Sequence, residues 1–166
     1  VDLAEMKAWL RVTHALEDAL IQSLMGSAVA HLDGWTGVLG RAIMTQTWKE
    51  EFSAHGFLRL ALPDVVSVVV TAKDADGNAL TVTTADLGSD AAGWFVETEG
   101  DGATDVVIVT YVCALPAAQL DAARLVIKLL VAHWFRNREA VVVGTNASDL
   151  PMAVTALIRA LAWVQF

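Results

Sequence analysis

Metal chemistry would require histidines, cysteines and carboxylates at ligand spacing. The four histidines, His14, His31, His55 and His133, form no His-x-x-x-His pair and have no adjacent Cys or acid cluster. No zinc site is expected. A reactive nucleophile would need a setting such as the Gly-x-Ser-x-Gly elbow, which is absent, and the single Cys113 falls in a strand-like run where a buried, inert thiol is the default. Asp74-Ala75-Asp76-Gly77-Asn78 begins like a calcium loop, yet the third acidic ligand and the closing Glu are missing and the flanks are strand-like, so a hairpin turn explains it better. Gly34, Gly37 and Gly40 are followed by no Gly-Lys-Ser/Thr and fit no dinucleotide fingerprint; helix termination is the simpler account. The tryptophans Trp9, Trp35, Trp48, Trp94, Trp134 and Trp163 are too dispersed for a base-stacking platform and read as core or interface anchors. These residues imply no catalytic group, metal or cofactor.

Charge narrows the partners. Between Asp64 and Asp105 lie nine acids against one base, Lys73, which equals the net charge of -8 for the whole chain, so the flanks balance. Gripping a nucleic-acid backbone takes clustered Lys and Arg, and this middle segment would repel phosphates. It reads first as a solubilising surface on an otherwise apolar chain. Hydrophobic residues make up 55% of the 166 and charged residues 18%, which excludes intrinsic disorder. No uncharged apolar run reaches the roughly 18–20 residues of a membrane-spanning helix. The opening VDLAEMKAWL does not read as a secretory signal, and a lone cysteine agrees with a reducing, intracellular setting. Val1 in place of Met points to numbering that differs from that of the full gene product.

The length fits one domain with an inserted lobe, of α+β class: a mainly helical bundle with an inserted antiparallel β section and a C-terminal arm and helix. The helical part spans 1–42. A short helix is predicted over Leu3–Val12. A longer one is predicted over about Ala15–Leu32, capped by Thr13, with Leu16, Leu20, Leu24, Ala28 and Leu32 on one face. The β section spans 43–114, with strands at Thr45–Phe52, Phe57–Leu62, Val65–Lys73, Ala79–Thr84, Trp94–Glu99 and Val106–Cys113. Turns are predicted at Asp76-Gly77, at Gly88–Gly93 and at Gly100–Thr104. Pro116 opens a long helix over 115–139, apolar nearly all round apart from Asp121, Arg124 and Lys128. Such a helix must be buried on more than one side, by its own subunit and by a neighbour. An apolar arm, Val141, Val142 and Val143 before Gly144, leads to a last helix from about Pro151 and an uncharged tail, Trp163–Phe166.

The ends of the chain carry a resemblance. Asp2–Val12, Glu17–Ile21 and Gly34–Gly37, with Gln46-Thr47-Trp48 and the run Leu129–Val141, resemble the corresponding parts of head–tail connector (adaptor) proteins of long-tailed phages and gene transfer agents. The resemblance covers about a third of the chain and, beyond Gln46-Thr47-Trp48, matches little of the β section. It implies a non-enzymatic structural subunit that forms a ring with copies of itself, usually twelvefold in the particle. The ring would dock beneath the portal protein after DNA packaging and receive the stopper or tail-completion protein. DNA would pass the channel without specific binding, no membrane would be involved, and the protein would lie at the head–tail interface of the virion after assembly in the host bacterial cytoplasm. Trp134, Arg138 and Glu139 carry over to the helix end, and Val141 to Gly144 to an arm that reaches a neighbour or the portal. The uncharged ending departs from the family's polar or basic one.

Surplus apolar area in a small subunit becomes assembly area. The expected subunit or portal interface is Leu120, Ile127, Val131, Trp134, Arg138, Glu139, Val141, Val142, Val143, Trp163 and Phe166. The acidic segment would project toward the tail or into the channel, where like charge keeps DNA from adhering. The alternatives are a soluble α+β domain that dimerises through the long helix around an apolar ligand, and a hydrolase built on two carboxylates of the β section.

Overall fold

The structure is a computed structural model that describes residues 1–100, 106–137 and 152–163. The described residues fall into two compact units, one drawn from 1–40 and 117–162, the other from 41–116 with Trp163.

In the helical unit α1 spans Leu3–Leu10, α2 Asp18–Leu32, α3 Ala117–Arg136 and α4 Met152–Leu161. Asp2 caps α1 by accepting the Glu5 N–H at 2.7 Å, and Arg11 ends it in the left-handed region at φ 59°. The second helix starts later than predicted. Thr13 does not cap it, Glu17 holds the N-cap position without a capping hydrogen bond from its side chain, and Lys7 of α1 binds Asp18 at 2.6 Å, pinning the first turn. Leu16 therefore lies outside the helix, 91% exposed; of the predicted row Ala28 and Leu32 are buried and Leu24 half-buried, while Leu20 is exposed and Ile21 takes the buried place near the start. Gly37 is required where α2 ends, because a Cβ there would collide with the Leu32 and Asp33 carbonyl oxygens.

The long helix α3 packs against α1, α2 and α4 of its own unit. Ala123, Val126, Ile127, Leu130 and Val131 are buried, and the exposed face runs through Asp121, Arg124 and Leu125. Three neighbouring helices supply cover on several sides, so among the described residues its apolar circumference is largely used inside this chain. The segment predicted as an apolar arm lies outside the described residues.

In the β unit the seven strands are β1 Gln46–Phe52, β2 Gly56–Arg59, β3 Val65–Lys73, β4 Ala79–Leu80, β5 Val82–Asp90, β6 Gly93–Gly100 and β7 Val106–Cys113. They form two antiparallel sheets, a four-stranded one ordered β1-β7-β3-β4 and a three-stranded one ordered β2-β6-β5. The α+β class with an antiparallel insert is what the sequence predicts. Alternation fills the core: Val107, Val109, Tyr111 and Cys113 of β7 point inward, as do Leu58 of β2 and Val96 of β6, with Leu87 and Trp94 packed against them. The turn predicted at Gly88–Gly93 is present but shorter. Gly88 continues β5 as the cross-strand partner of Phe95, and the turn is confined to the two residues between Asp90 and Gly93. The predicted hairpin at Asp76-Gly77 is present, with Asp74 accepting the N–H groups of Asp76 and Asn78 and Gly77 at φ 83°. The turn predicted at Gly100–Thr104 falls mainly outside the described residues.

Candidate functional site

The expected interface residues divide. Ile127 and Val131 are buried, the latter completely, so they serve this chain's own interior. Leu120 and Trp134 are half-buried on α3, and the Trp134 ring meets His31 of α2 edge-on at 6.2 Å between centroids. Trp163 is half-buried in the β unit, where a Cβ on Gly93 would lie 3.5 Å from its ring. Arg138, Glu139, Val141, Val142, Val143 and Phe166 lie outside the described residues. Among the described residues, few large exposed apolar side chains come from the C-terminal third; more come from earlier positions, including Trp9, Trp35, Phe57, Val66 and Val69. Among the described residues, exposed apolar surface therefore lies mostly away from the C-terminal third.

The outward face of the three-stranded sheet is built from odd positions of β2 and β6 and even positions of β5. Leu58, Val96 and Leu87 turn inward, which sends Phe57, Phe95, Glu97, Glu99, Thr84 and Asp86 outward. Gly88 makes this face possible, because its missing side chain leaves the space occupied by the Phe95 ring. Phe57 then stacks on Phe95 at 4.4 Å and 29°. The Arg59 guanidinium sits 5.0 Å from the Phe57 ring centre and 5.7 Å from that of Phe95. Asp90 fixes it in a two-pronged ion pair at 2.6 and 3.0 Å. Those hydrogen bonds from Arg59 hold the Asp90 carboxyl down at about 2. Beside the rings, a hollow of about 330 Å³ is lined by Asp86, Glu97, Glu99, Thr84 and Phe57. Asp86 and Glu97 face each other directly across the β5–β6 ladder, an arrangement of like charges that costs stability.

The helical unit has a feature of opposite character. Trp9, Leu10 and Arg11 of the α1 end, with Leu129, Ala132 and Arg136 of α3, line a groove of about 630 Å³. Lys128 stands 5.5 Å from the Trp9 ring centre and binds Glu5 at 2.6 Å, which steadies the ring while leaving it 45% exposed. Arg11 and Arg136 are exposed, and neither has an ion pair with another described residue.

Inside the β unit the polar groups are structural. Tyr111 is buried and donates its hydroxyl to Glu50; burial first and the Glu50 carboxylate second push its pKa far above the ordinary phenol value. Glu50 also accepts the Ala61 N–H at 3.0 Å. Arg41 donates to Asp64 at 2.8 Å, joining the start of this unit to the β2–β3 connection. Cys113 is buried, with its sulfur 3.9 Å from the Gln46 carbonyl oxygen. No group of three potential metal ligands occurs among the described residues, and none of their helices is long and apolar enough to cross a membrane. The Phe57–Phe95 platform and the Trp9 groove escape a reading by motif. The platform's signal is alternation, with Phe57 and Arg59 on one phase of β2 and Phe95, Glu97 and Glu99 on one phase of β6.

No family model matches the chain, and no curated protein sequence does. Solved structures do. A chain in the neck of an empty gene transfer agent (GTA) particle, computed with C6 symmetry, superposes with a TM-score of 0.70 at 21% identity, covering 100% of this chain and 91% of that one. A chain of the native GTA virion gives 0.66 at 20% identity, covering 100% and 91%. A chain of the native neck, computed with C12 symmetry, gives 0.66 at 20%, covering 99% and 89%. The chain therefore shares its fold, end to end, with chains of these particles.

Proposed function

We propose that this chain is a structural head–tail connector (adaptor) subunit, non-enzymatic, that assembles with copies of itself into a ring in the neck of a tailed particle. The observation that carries this reading is the full-length likeness to a neck chain, 100% of one and 91% of the other. The sequence resemblance to connectors supports it independently, since it rests on motifs near both ends and not on the fold. In this reading the ring is twelvefold, sits beneath the portal protein and receives the stopper or tail-completion protein, and DNA passes without specific binding. The subunit is made in the bacterial host's cytoplasm and ends at the head–tail interface.

Leu120, Trp134 and Trp163 then contribute to subunit or portal contacts, together with Arg138, Glu139, Val141, Val142, Val143 and Phe166. Ile127 and Val131 act from beneath, holding the helix that presents Trp134. Deleting the gene and viewing the lysate by electron microscopy tests the assignment. Filled heads that leak DNA and lack tails are expected. Normal tailed particles would refute it.

A further inference from the structure

We infer that the outward face of the three-stranded sheet docks into the Trp9 groove of a second copy, so that copies join head to tail. This rests on the ring reading above and names the contact that would build the ring.

Two observations point the sheet face toward a protein partner. A face that served only solubility, or only the repulsion of DNA, would need acids but no aromatic pair. Here Phe57, 52% exposed, is stacked on Phe95 under Arg59 in the middle of a charged surround. Aromatic rings and arginine at the centre with charge at the rim is the composition of energetically dominant patches in protein interfaces. The second observation is the facing pair Asp86 and Glu97, with Glu99 on the same side of β6. Their mutual repulsion is relieved when cations arrive from outside.

The same chain carries the complement. The groove presents Arg11 and Arg136 as exposed cations, an exposed indole, and apolar walls at Leu10, Leu129 and Ala132. Its volume of about 630 Å³ has room for an aromatic side chain such as Phe57. Charge meets charge and ring meets ring. Two copies joined through identical faces would instead set Asp86, Glu97 and Glu99 against their own kind, so a two-fold contact through the sheet is disfavoured. A contact between unlike surfaces is heterologous: each copy offers its sheet to one neighbour and its groove to the other, and repetition closes into a ring when the rotation permits.

Sedimentation velocity of the full chain over a rising concentration series tests this, using the double variants Glu97→Lys with Glu99→Lys and Arg11→Glu with Arg136→Glu. Each variant alone should associate at least ~100-fold more weakly than the native chain. An equimolar mixture should recover most of the loss, because the reversed sheet meets the reversed groove while the two native surfaces also meet. The neutral pairs Glu97→Gln with Glu99→Gln and Arg11→Gln with Arg136→Gln should weaken association less, and on mixing should recover only the contact between the remaining native sheet and native groove, so that growth stops at dimers instead of continuing as in the reversed mixture. Thermal melting of each variant shows that it is folded, and Arg136→Glu alone serves if the double change disturbs α1. Native-like association of either reversed variant overturns the pairing, as does a mixture of folded variants that stays apart. A native chain that associates regardless of these charges refutes the pairing and leaves the ring reading standing. A native chain that is monomeric up to about millimolar concentration overturns the pairing, while the ring reading is decided separately by the gene deletion.

Discussion

Residues 1–40 with 117–162 carry eight acids and seven bases, whereas residues 41–116 with 163–166 carry eleven acids and four bases. The near-neutral helical unit packs its longest element, α3, against three other helices. The acidic β unit buries one face of its small sheet and leaves stacked phenylalanines open on the other. The contrast separates two quantities that sequence merges. Apolar content along the chain measures what could be buried, but the number of its own elements that reach a segment decides whether it is. The greasy helix is largely covered, and an unremarkable strand pair carries an exposed aromatic patch.

Ion pairs test the contrast most strongly. Arg41 and Asp64 keep only 9% and 14% of their side chains exposed, against 18% and 31% for Lys7 and Asp18 in the helical unit. Arg41→Met should cost about 3–5 kcal/mol, because it strands a carboxylate in a largely buried place. Lys7→Met should cost about 1 kcal/mol or less, since its pair is closer to solvent. Denaturant titration of both variants measures the difference, and equal losses would erase the distinction.

Within α3 the comparison sharpens to neighbouring turns. Leu130→Ala, at a fully buried position, should lose about 2–5 kcal/mol, whereas Leu125→Ala, at a position 37% exposed, should lose about 1 kcal/mol or less. The same unfolding measurement checks it. On the sheet, Gly88→Ala puts a methyl where the Phe95 ring lies, so the stack with Phe57 must shift at a cost of about 0.5–1.5 kcal/mol. Self-association should weaken in parallel if that stack is part of a contact.

The smallest effect is set by pH. Arg59 holds Asp90 at about 2, below the ordinary carboxyl value, so the folded chain binds this proton less readily than the unfolded one. Its contribution is therefore complete above the unfolded value of about 4 and is lost as pH falls toward about 2. Both side chains are substantially exposed, so the loss should be small. Asp90→Asn should flatten that part of the acid unfolding curve and leave neutral stability little changed.

Much of the fold was legible in sequence because its signals are local. Alternation placed Val65–Lys73 and Val106–Cys113 with their observed bounds. Asp76-Gly77 placed a hairpin, and Asp2, a residue type suited to N-caps, starts α1. What escaped depends on partners distant in sequence. Thr13 had the right chemistry for a cap, but Lys7 anchors Asp18 instead. Gly88 looked like a turn and is a socket for Phe95, which only the β5–β6 register reveals. Ile127 and Val131 enter the expected interface by apolar character and are buried within this chain, since three-dimensional cover has no one-dimensional signature.

The most direct measurement is a reconstruction by electron cryomicroscopy of intact tailed particles from the cells that make this protein. The account predicts a ring at the head–tail junction into which copies of this α+β subunit fit. A junction built entirely of other chains, with this protein elsewhere in the particle or missing from it, would contradict the account.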